Sequence, residues 1–393
     1  MKTPTPSPIP YLLTIPDTRN PNQLQHTHET FWILVLLALC ARQENILAIA
    51  IWVRNQNDWL LNTVGIRTRT GLPKLPSQAS LYRFLWTLER DISALENAMT
   101  CWIQALIALR VPTDTLICVN ADGKFLLDTA RARAGQGALV LVGAFLSELG
   151  VTLTQTLVKS TEAQAVKTML DTLKTALPKD RWVITTDAGI TERNLASKII
   201  KADGHYFMRL KKNQREALEM SAWVFHYPLD STGTSFFDEE NRSGETWSWL
   251  VQASAALPEE LKAGFPGVVQ AVRLERRVTN RVTGEVRVEE SFALTSLSVT
   301  AKDLYGVWRG HWGIEREQPA RCCLVSKKNR LHHKRDEVFK EDRCRTRLAA
   351  QSLAALRNAI LSLLHLSGES VLGAVRRFAC QPGLILDFLG LKP

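Results

Sequence analysis

The sequence has no Cys-x-x-Cys pair, no apolar run long enough to span a bilayer, and no signal-peptide pattern at its start. Its seven cysteines (Cys40, Cys101, Cys118, Cys322, Cys323, Cys344 and Cys380) are scattered and odd in number. Such spacing supports neither a disulfide framework nor a cysteine-only zinc site, so reduced thiols are expected. A mixed zinc site from Cys322, Cys323, His332 and His333 is disfavoured, because adjacent ligands make poor tetrahedral geometry. The longest apolar run, Phe31 to Ala41, falls short of the roughly 20 residues that a membrane helix needs. The opening MKTPTPSPIPYLL is proline-rich and lacks the charged-then-apolar order of a leader. A soluble, cytoplasmic protein is expected. Acidic residues are also in the minority. Lys and Arg number 49 against 39 Asp and Glu, giving a net charge of +10 and a pI of about 9.3. That balance favours a polyanionic partner over an acidic small substrate. Between Ala301 and Arg347, 13 basic residues face 7 acidic ones, so +6 of the +10 is concentrated there. An ordinary solvated face has the same look, so charge alone does not decide for nucleic acid.

At 393 residues, two or three domains are expected. Residues 1–28, rich in Pro, Thr and Asn, predict an extended arm with turns. Residues 29–110 carry apolar residues at helical spacing throughout. Ser77 is placed to cap a helix containing Leu81, Phe84 and Leu85. This helical unit has no catalytic constellation. Arg67, Arg69 and Lys74, in the loop before that helix, suit a helix-turn-helix-like DNA reader, and equally a packing domain with a solvated loop. From Pro112 the pattern becomes β-β-β-α-β-α-β through Leu210, with Thr191 as a candidate cap for the helix Glu192–Ala202. Residues 213–298 predict a β-rich insertion with a hairpin turning at Thr279–Gly284. A basic helix over 299–317, a helix over 336–366 and a helical tail over 367–393 complete the chain.

Three carboxylates stand out. Asp122 and Asp187 each follow an apolar strand, with small neighbours on both sides (Ala121 and Gly123; Ala188 and Gly189). Glu315 lies four residues beyond His311 in the run LYGVWRGHWGIEREQ. Carboxylate oxygens suit Mg2+ or Mn2+. Two such ions roughly 4 Å apart activate an attacking oxygen and stabilise a leaving one in phosphodiester displacement. Side by side, the first and fourth strands would bring Asp122 and Asp187 to one sheet edge, with Glu315 closing the site. Lys124, Lys211 and Arg309 would supply phosphate contacts. Each element also has a plain alternative. Asp122-Gly123 can be a turn, Asp187 a cap, and Glu315 a surface ion pair, while His311 and Trp312 can pack against the core.

On these residues the chain resembles a bacterial DDE transposase of the H-repeat-associated insertion-sequence family. Asp17-Thr18-Arg19-Asn20 and Pro76-Ser77-Gln78-Ala79-Ser80 are similar to the family's N-terminal associated domain. Asp122-Gly123-Lys124 is similar to its first catalytic motif. Thr186-Asp187-Ala188 matches the second, followed by Tyr206 and Leu210-Lys211-Lys212-Asn213-Gln214. Arg309 to Glu315 matches the third, and Ala355-Leu356-Arg357-Asn358 lies in a shared C-terminal helix. The resemblance implies an α/β protein whose catalytic domain, residues 111–212 and 299–366, is ribonuclease H-like. It implies Asp122, Asp187 and Glu315 as catalytic residues and as ligands of Mg2+ or Mn2+. It also implies contacts to double-stranded DNA, for which His311, Trp312 and Arg330 join the basic residues above. The implied protein is nucleoid-associated and acts as a homodimer or larger synaptic assembly, cleaving transposon ends and joining the freed 3′-hydroxyl to target DNA. The sequence departs from the family in one place above all. The continuation expected directly after Glu315 resumes only at Asn329-Arg330-Leu331-His332-His333, after 13 additional residues, REQPARCCLVSKK. A DNA-binding protein that no longer cleaves, or a metal-dependent nuclease, are the readings this departure keeps open.

Overall fold

The computed structural model describes residues 6–126, 129, 137–227, 233–311, 338–339 and 349–391. One sheet organises them. Its nine strands are β1 (Ile117–Leu126), β2 (Leu139–Leu146), β3 (Val151–Leu157), β4 (Trp182–Thr186), β5 (His205–Leu210), β6 (Thr234–Arg242), β7 (Glu245–Ser254), β8 (Gln270–Asn280) and β9 (Val286–Thr295). They lie in the order β3-β2-β1-β4-β5-β9-β8-β7-β6. β1, β4 and β5 are parallel, whereas β2 pairs antiparallel with β1 and β3 antiparallel with β2. The β-β-β-α-β-α-β order read from the sequence is therefore the order observed. The strands of 213–298 do not form a separate sheet, because β9 pairs antiparallel with β5 and extends the same one. Alternation within each strand reveals a half-buried or buried strand but not its neighbour, so this continuity was not readable from pattern.

Six helices precede the sheet: α1 (Ile9–Leu12), α2 (His28–Cys40), α3 (Ile46–Asn55), α4 (Asn57–Asn62), α5 (Gln78–Arg90) and α6 (Ile92–Arg110). Four lie between its strands: α7 (Glu162–Ala176), α8 (Arg193–Lys201), α9 (Arg215–His226) and α10 (Glu259–Gly264). After β9 come α11 (Ala301–His311), α12 (Ala350–Ser367), α13 (Val371–Cys380) and α14 (Gly383–Leu389). Ser77 caps α5 as expected, accepting from Ser80 N at 3.2 Å. Thr191 does not cap α8. Its hydroxyl instead lies 3.0 Å from Asp187 O and 2.8 Å from Arg209 O. The extended arm expected over residues 1–28 contains the helix α1, with Ile9, Leu12 and Ile15 buried and Trp102 Nε1 donating to Pro6 O at 2.9 Å. Among the described residues, α6 is the one single helix long and apolar enough to cross a membrane. It packs on β3 and donates from Thr100 Oγ1 to Leu153 O at 3.2 Å, as a core helix does.

The two faces of the sheet belong to different cores. Ile117, Val119, Ala121, Trp182, Ile184, Tyr206 and Met208 point into the larger core with the N-terminal helices, α7, α8 and α12. Cys118, Val183 and Phe207 point the other way, against Leu304, Tyr305, Val307 and Trp308 of α11. This is the two-residue alternation of a strand covered on both sides.

The helical unit is joined to the rest through α12. Glu89 of α5 accepts from Gln351 N (3.2 Å), Ser352 N (2.8 Å) and Ser352 Oγ (2.6 Å), which satisfies N–H groups that the helix itself leaves unpaired. Beside it, Glu96 accepts from Gln351 Nε2 at 2.8 Å. Burial, with the nearby Glu89 charge adding to it, pushes the Glu96 carboxyl up to about 7, while hydrogen bonds from Gln351 and Gln155 act against that rise. A raised carboxyl pKa stabilises the fold below the unfolded value and loses that contribution as pH rises through the folded one. Stability is thus expected to decline by up to about 3 kcal/mol between roughly pH 4.5 and 7 from this group. Urea melts across that range should show the decline in the native chain and a flatter profile in Glu96→Gln. Parallel profiles for the two proteins would refute the assignment.

Candidate active site

β1 and β4 pair in parallel, with Asn120 opposite Thr185 and Ala121 opposite Thr186. Asp122 and Asp187 are the residues that directly follow the last pair of that register on the two neighbouring strands. The ladder between the two strands ends there, although β1 itself runs on to Leu126 beside β2. Asp122-Gly123 is accordingly not a turn: it lies inside a strand, at the point where the parallel partner leaves. Both acids are partly exposed. By alternation Asp122 falls on the α11 face, one pleat (about 7 Å) beyond Asn120.

The loop after β4 is tightly specified. Asp187 Oδ1 accepts from Gly189 N at 2.8 Å and Ile190 N at 3.2 Å. A Cβ on Gly189 would sit 3.2 Å from the same oxygen. Asn213 Nδ2 donates to Ala188 O at 2.8 Å, and Gln214 Nε2 reaches both Ala188 O (3.1 Å) and Thr191 O (2.9 Å). The segment Leu210–Gln214 therefore acts on Asp187 from a distance in sequence by clamping its turn. Sequence reasoning used only Lys211 from this motif. The two amides beside it are the positioning residues it missed, and their side-chain type, two-ended donors beside a strand end, was the available signal.

Below the acids lies a buried polar row. Thr185 Oγ1 donates to Asn120 Oδ1 at 2.8 Å and stands 2.8 Å from His311 Nδ1. With its proton given to Asn120, the threonine offers a lone pair to Nδ1–H of His311. Asn120 Nδ2 donates to Ser147 Oγ, and Ser147 Oγ donates to Gly310 O at 3.3 Å. A Cβ on Gly310 would come within 3.1 Å of that serine oxygen. The last turn of α11 is thus fixed against β1 and β4 beside Asn120 and Thr185.

This placement corrects two of the expected DNA contacts. His311 is 1% exposed, so it pins α11 to the sheet and presents no face to DNA. Arg309 is largely enclosed, its side chain 9% exposed. Its guanidinium lies 4.7 Å from the Trp249 ring centroid and 5.5 Å from that of Tyr305, with Glu240 at 3.9 Å. Cation–π packing and a nearby carboxylate hold it against the insertion strands. Lys124 is buried in β1, on the Asp122 face and two residues on. Lys211 is exposed at the end of β5, and Arg67, Arg69 and Lys74 are exposed on their loop. Glu315, Trp312, Arg330 and the Cys322–His333 region lie outside the described residues.

One acid near the site was not foreseen. Glu162, the first residue of α7, places its Oε1 in the space that a Cβ on Gly123 would fill. Burial, then the Asp187 charge, raises its carboxyl above the ordinary range. Glycine at 123 is what allows this acid to approach β1. Among the described residues, no three His, Cys, Asp or Glu side chains form a group able to hold a metal ion.

Comparison with known proteins bears on this geometry. Residues 9–103 match the family model described as DDE_Tnp_1-associated. Across 378 residues, 94% of the chain and 90% of the relative, the sequence is 25% identical to "Putative transposase YncI" of Escherichia coli O157:H7. The chain is similar to bacterial transposases over nearly its whole length. "H repeat-associated putative transposase YhhI" of Escherichia coli K12 is 25% identical over 71% of the chain and 72% of that protein. The resemblance drawn from the motifs is thereby borne out, and the matched segment falls on the helical unit assigned to the associated domain. Among solved structures, the piggyBac transposase synaptic complex with hairpin DNA aligns over 97% of this chain and 77% of that one, at TM-score 0.37 and 10% identity.

Proposed function

We propose that the chain is a DNA transposase of the DDE type, with a ribonuclease H-like catalytic domain built on β1 to β5. The observation that carries this reading is that Asp122 and Asp187 each directly follow the last pair of the β1–β4 ladder, Ala121 and Thr186. Two hard oxygen donors on neighbouring strand ends suit Mg2+ or Mn2+, and Glu315 is the proposed third ligand. Bound divalent ions would supply activation of the attacking oxygen and charge stabilisation at the leaving one. The chain's own part is positional. The Asn120–Thr185–His311 row fixes α11 against β1 and β4. Asn213 and Gln214 hold the Asp187 turn, whose two N–H groups orient Oδ1 and keep the carboxylate in one direction. Transposon-end cleavage followed by strand transfer is the proposed reaction, on double-stranded DNA and in a homodimer or larger assembly.

Incubating the whole protein with labelled terminal-repeat DNA and Mn2+ tests the proposal. Metal-dependent cleavage supports it, and binding without cleavage sinks it in favour of a DNA-binding descendant, the reading that the 13 additional residues after Glu315 favour. Salt dependence separates the basic residues. Lys211→Ala is expected to lower the slope of log K against log salt by about 1, the value for one lost phosphate contact. Arg309→Ala is expected to leave the slope unchanged. A slope that falls for Arg309 instead would mean its aromatic enclosure opens when DNA binds.

A further inference from the structure

A cleft of about 950 Å³ separates α5 from the segment 18–26. Its floor on the α5 side is Arg83, Trp86 and Arg90, spaced three and four residues apart and therefore on one helical face. Leu81, Phe84, Leu85 and Leu88 occupy the opposite, buried face. Trp86 is 50% exposed, whereas Trp32, Trp102, Trp182, Trp249 and Trp308 are fully buried. The Arg83 guanidinium donates to Ser80 Oγ at 3.4 Å, and neither Arg83 nor Arg90 has an acidic partner among the described residues. Arg19, also lining the cleft, is neutralised by a two-pronged pair with Asp17 at 2.7 and 2.6 Å. Asp91 is the one acid in the lining.

The opposite wall is polar and is backed by the basic loop. Arg69 N donates to Gln25 O at 2.8 Å, Arg69 Nη1 donates to Pro21 O at 3.2 Å, and His26 Nε2 lies 2.8 Å from Lys74 O. The exposed Arg69 and Lys74 thus stand behind the same segment that forms the cleft. A protein partner would call for a contiguous apolar patch. Leu24 and Phe31 also line the cleft, but Phe31 is buried, and Trp86 is the one exposed large apolar side chain in the lining. An isolated indole between unopposed guanidinium groups is what a nucleic-acid strand with an unstacked base requires: cations for phosphates and a flat ring for the base.

We infer that this cleft binds a single DNA strand, with an unpaired base stacked on Trp86 and phosphates on Arg83 and Arg90. The inference rests on the DNA-acting reading above but not on cleavage at Asp122 and Asp187. The ligand class is an unpaired DNA strand, whatever step exposes it.

Fluorescence anisotropy on the whole protein, with a labelled 15-nucleotide oligothymidine and a blunt duplex of equal length as probes, tests it. Trp86→Ala should weaken oligothymidine binding roughly tenfold, and Trp86→Phe should recover most of that loss. Duplex affinity should change by less than about twofold, because paired bases do not reach the ring. The double variant Arg83→Ala, Arg90→Ala should lower the single-strand salt slope by roughly 1.4, two contacts at about 0.7 each. Oligothymidine binding that is unchanged in Trp86→Ala overturns the inference. So does an equal loss on the duplex, or self-association that disappears with Trp86, which would assign the face to a second copy. If the native chain binds neither probe, the DNA-acting reading falls with it.

Discussion

Asp122→Ala and Asp187→Ala are each expected to reduce metal-dependent cleavage of terminal-repeat DNA by about a thousandfold or more, with DNA affinity retained. The size follows from what each carboxylate is proposed to do. Losing one hard oxygen ligand weakens metal binding and misplaces the attacking oxygen together, and groups acting as a unit are not additive. The double variant should therefore be little worse than either single one. Asp187→Asn is the sharper probe. It preserves the shape and the oxygen that accepts from Gly189 and Ile190 N–H, so the turn survives while the negative charge is lost. A cleavage assay in Mg2+ and Mn2+, run beside a binding titration, reads both quantities. Cleavage within tenfold of the native chain in Asp187→Asn would remove Asp187 from the chemistry. A matching loss of binding in all variants would point to a folding defect.

How much of this was legible in the sequence depends on how local each interaction is. The strands and helices around Asp122 and Asp187 were readable because each is a short apolar run with its own punctuation. Even the α5 cap at Ser77 was local, acting across three residues. Parallel pairing of β1 with β4 was available as a condition, since the two acids converge only if those strands are neighbours. What failed was long-range. Thr191 looked like a cap because it precedes a helix, yet the loop turns it to Asp187 O and Arg209 O. Arg309 and His311 looked like DNA contacts because they are basic residues in a basic segment. Burial on α11 decides otherwise, and burial of a polar side chain depends on partners more than fifty residues away in sequence, such as Glu240, Thr185 and Trp249. The plain alternative held for His311, which packs against the core. Glu162 was not readable as an acid beside Gly123, because its approach depends on how α7 is laid across β1.

Arg357→Ala is expected to destabilise the chain by about 3–5 kcal/mol, the range for truncating a large buried side chain to alanine with a charge-assisted hydrogen bond lost as well. Arg357 is fully buried in α12, where each residue from Ala350 to Leu364 is buried. Its Nη2 donates to Glu44 O, 313 residues away in the loop between α2 and α3, and its guanidinium stands 5.5 Å from the Phe339 ring centroid. At the next position, Asn358 Nδ2 donates to Gln155 Oε1 of β3 at 3.0 Å. Adjacent residues of one motif thus tie the helical unit on one side and the sheet on the other. Alanine at 357 removes the donor and opens a cavity, adding a packing loss to the unsatisfied carbonyl. Methionine at 357 fills much of the volume while still leaving Glu44 O without this donor, so it should fall between the native chain and alanine. Lysine keeps the charge but not the planar fork, and is not expected to restore stability. Urea unfolding of the three variants checks the order. A loss below about 1 kcal/mol for alanine, the level of an ordinary surface change, would mean that α12 is held by its apolar contacts alone. Because α12 also receives the Glu89 cap, a real loss at 357 should in addition make exchange of the α12 amides faster before global unfolding, which a purely local cavity would not do.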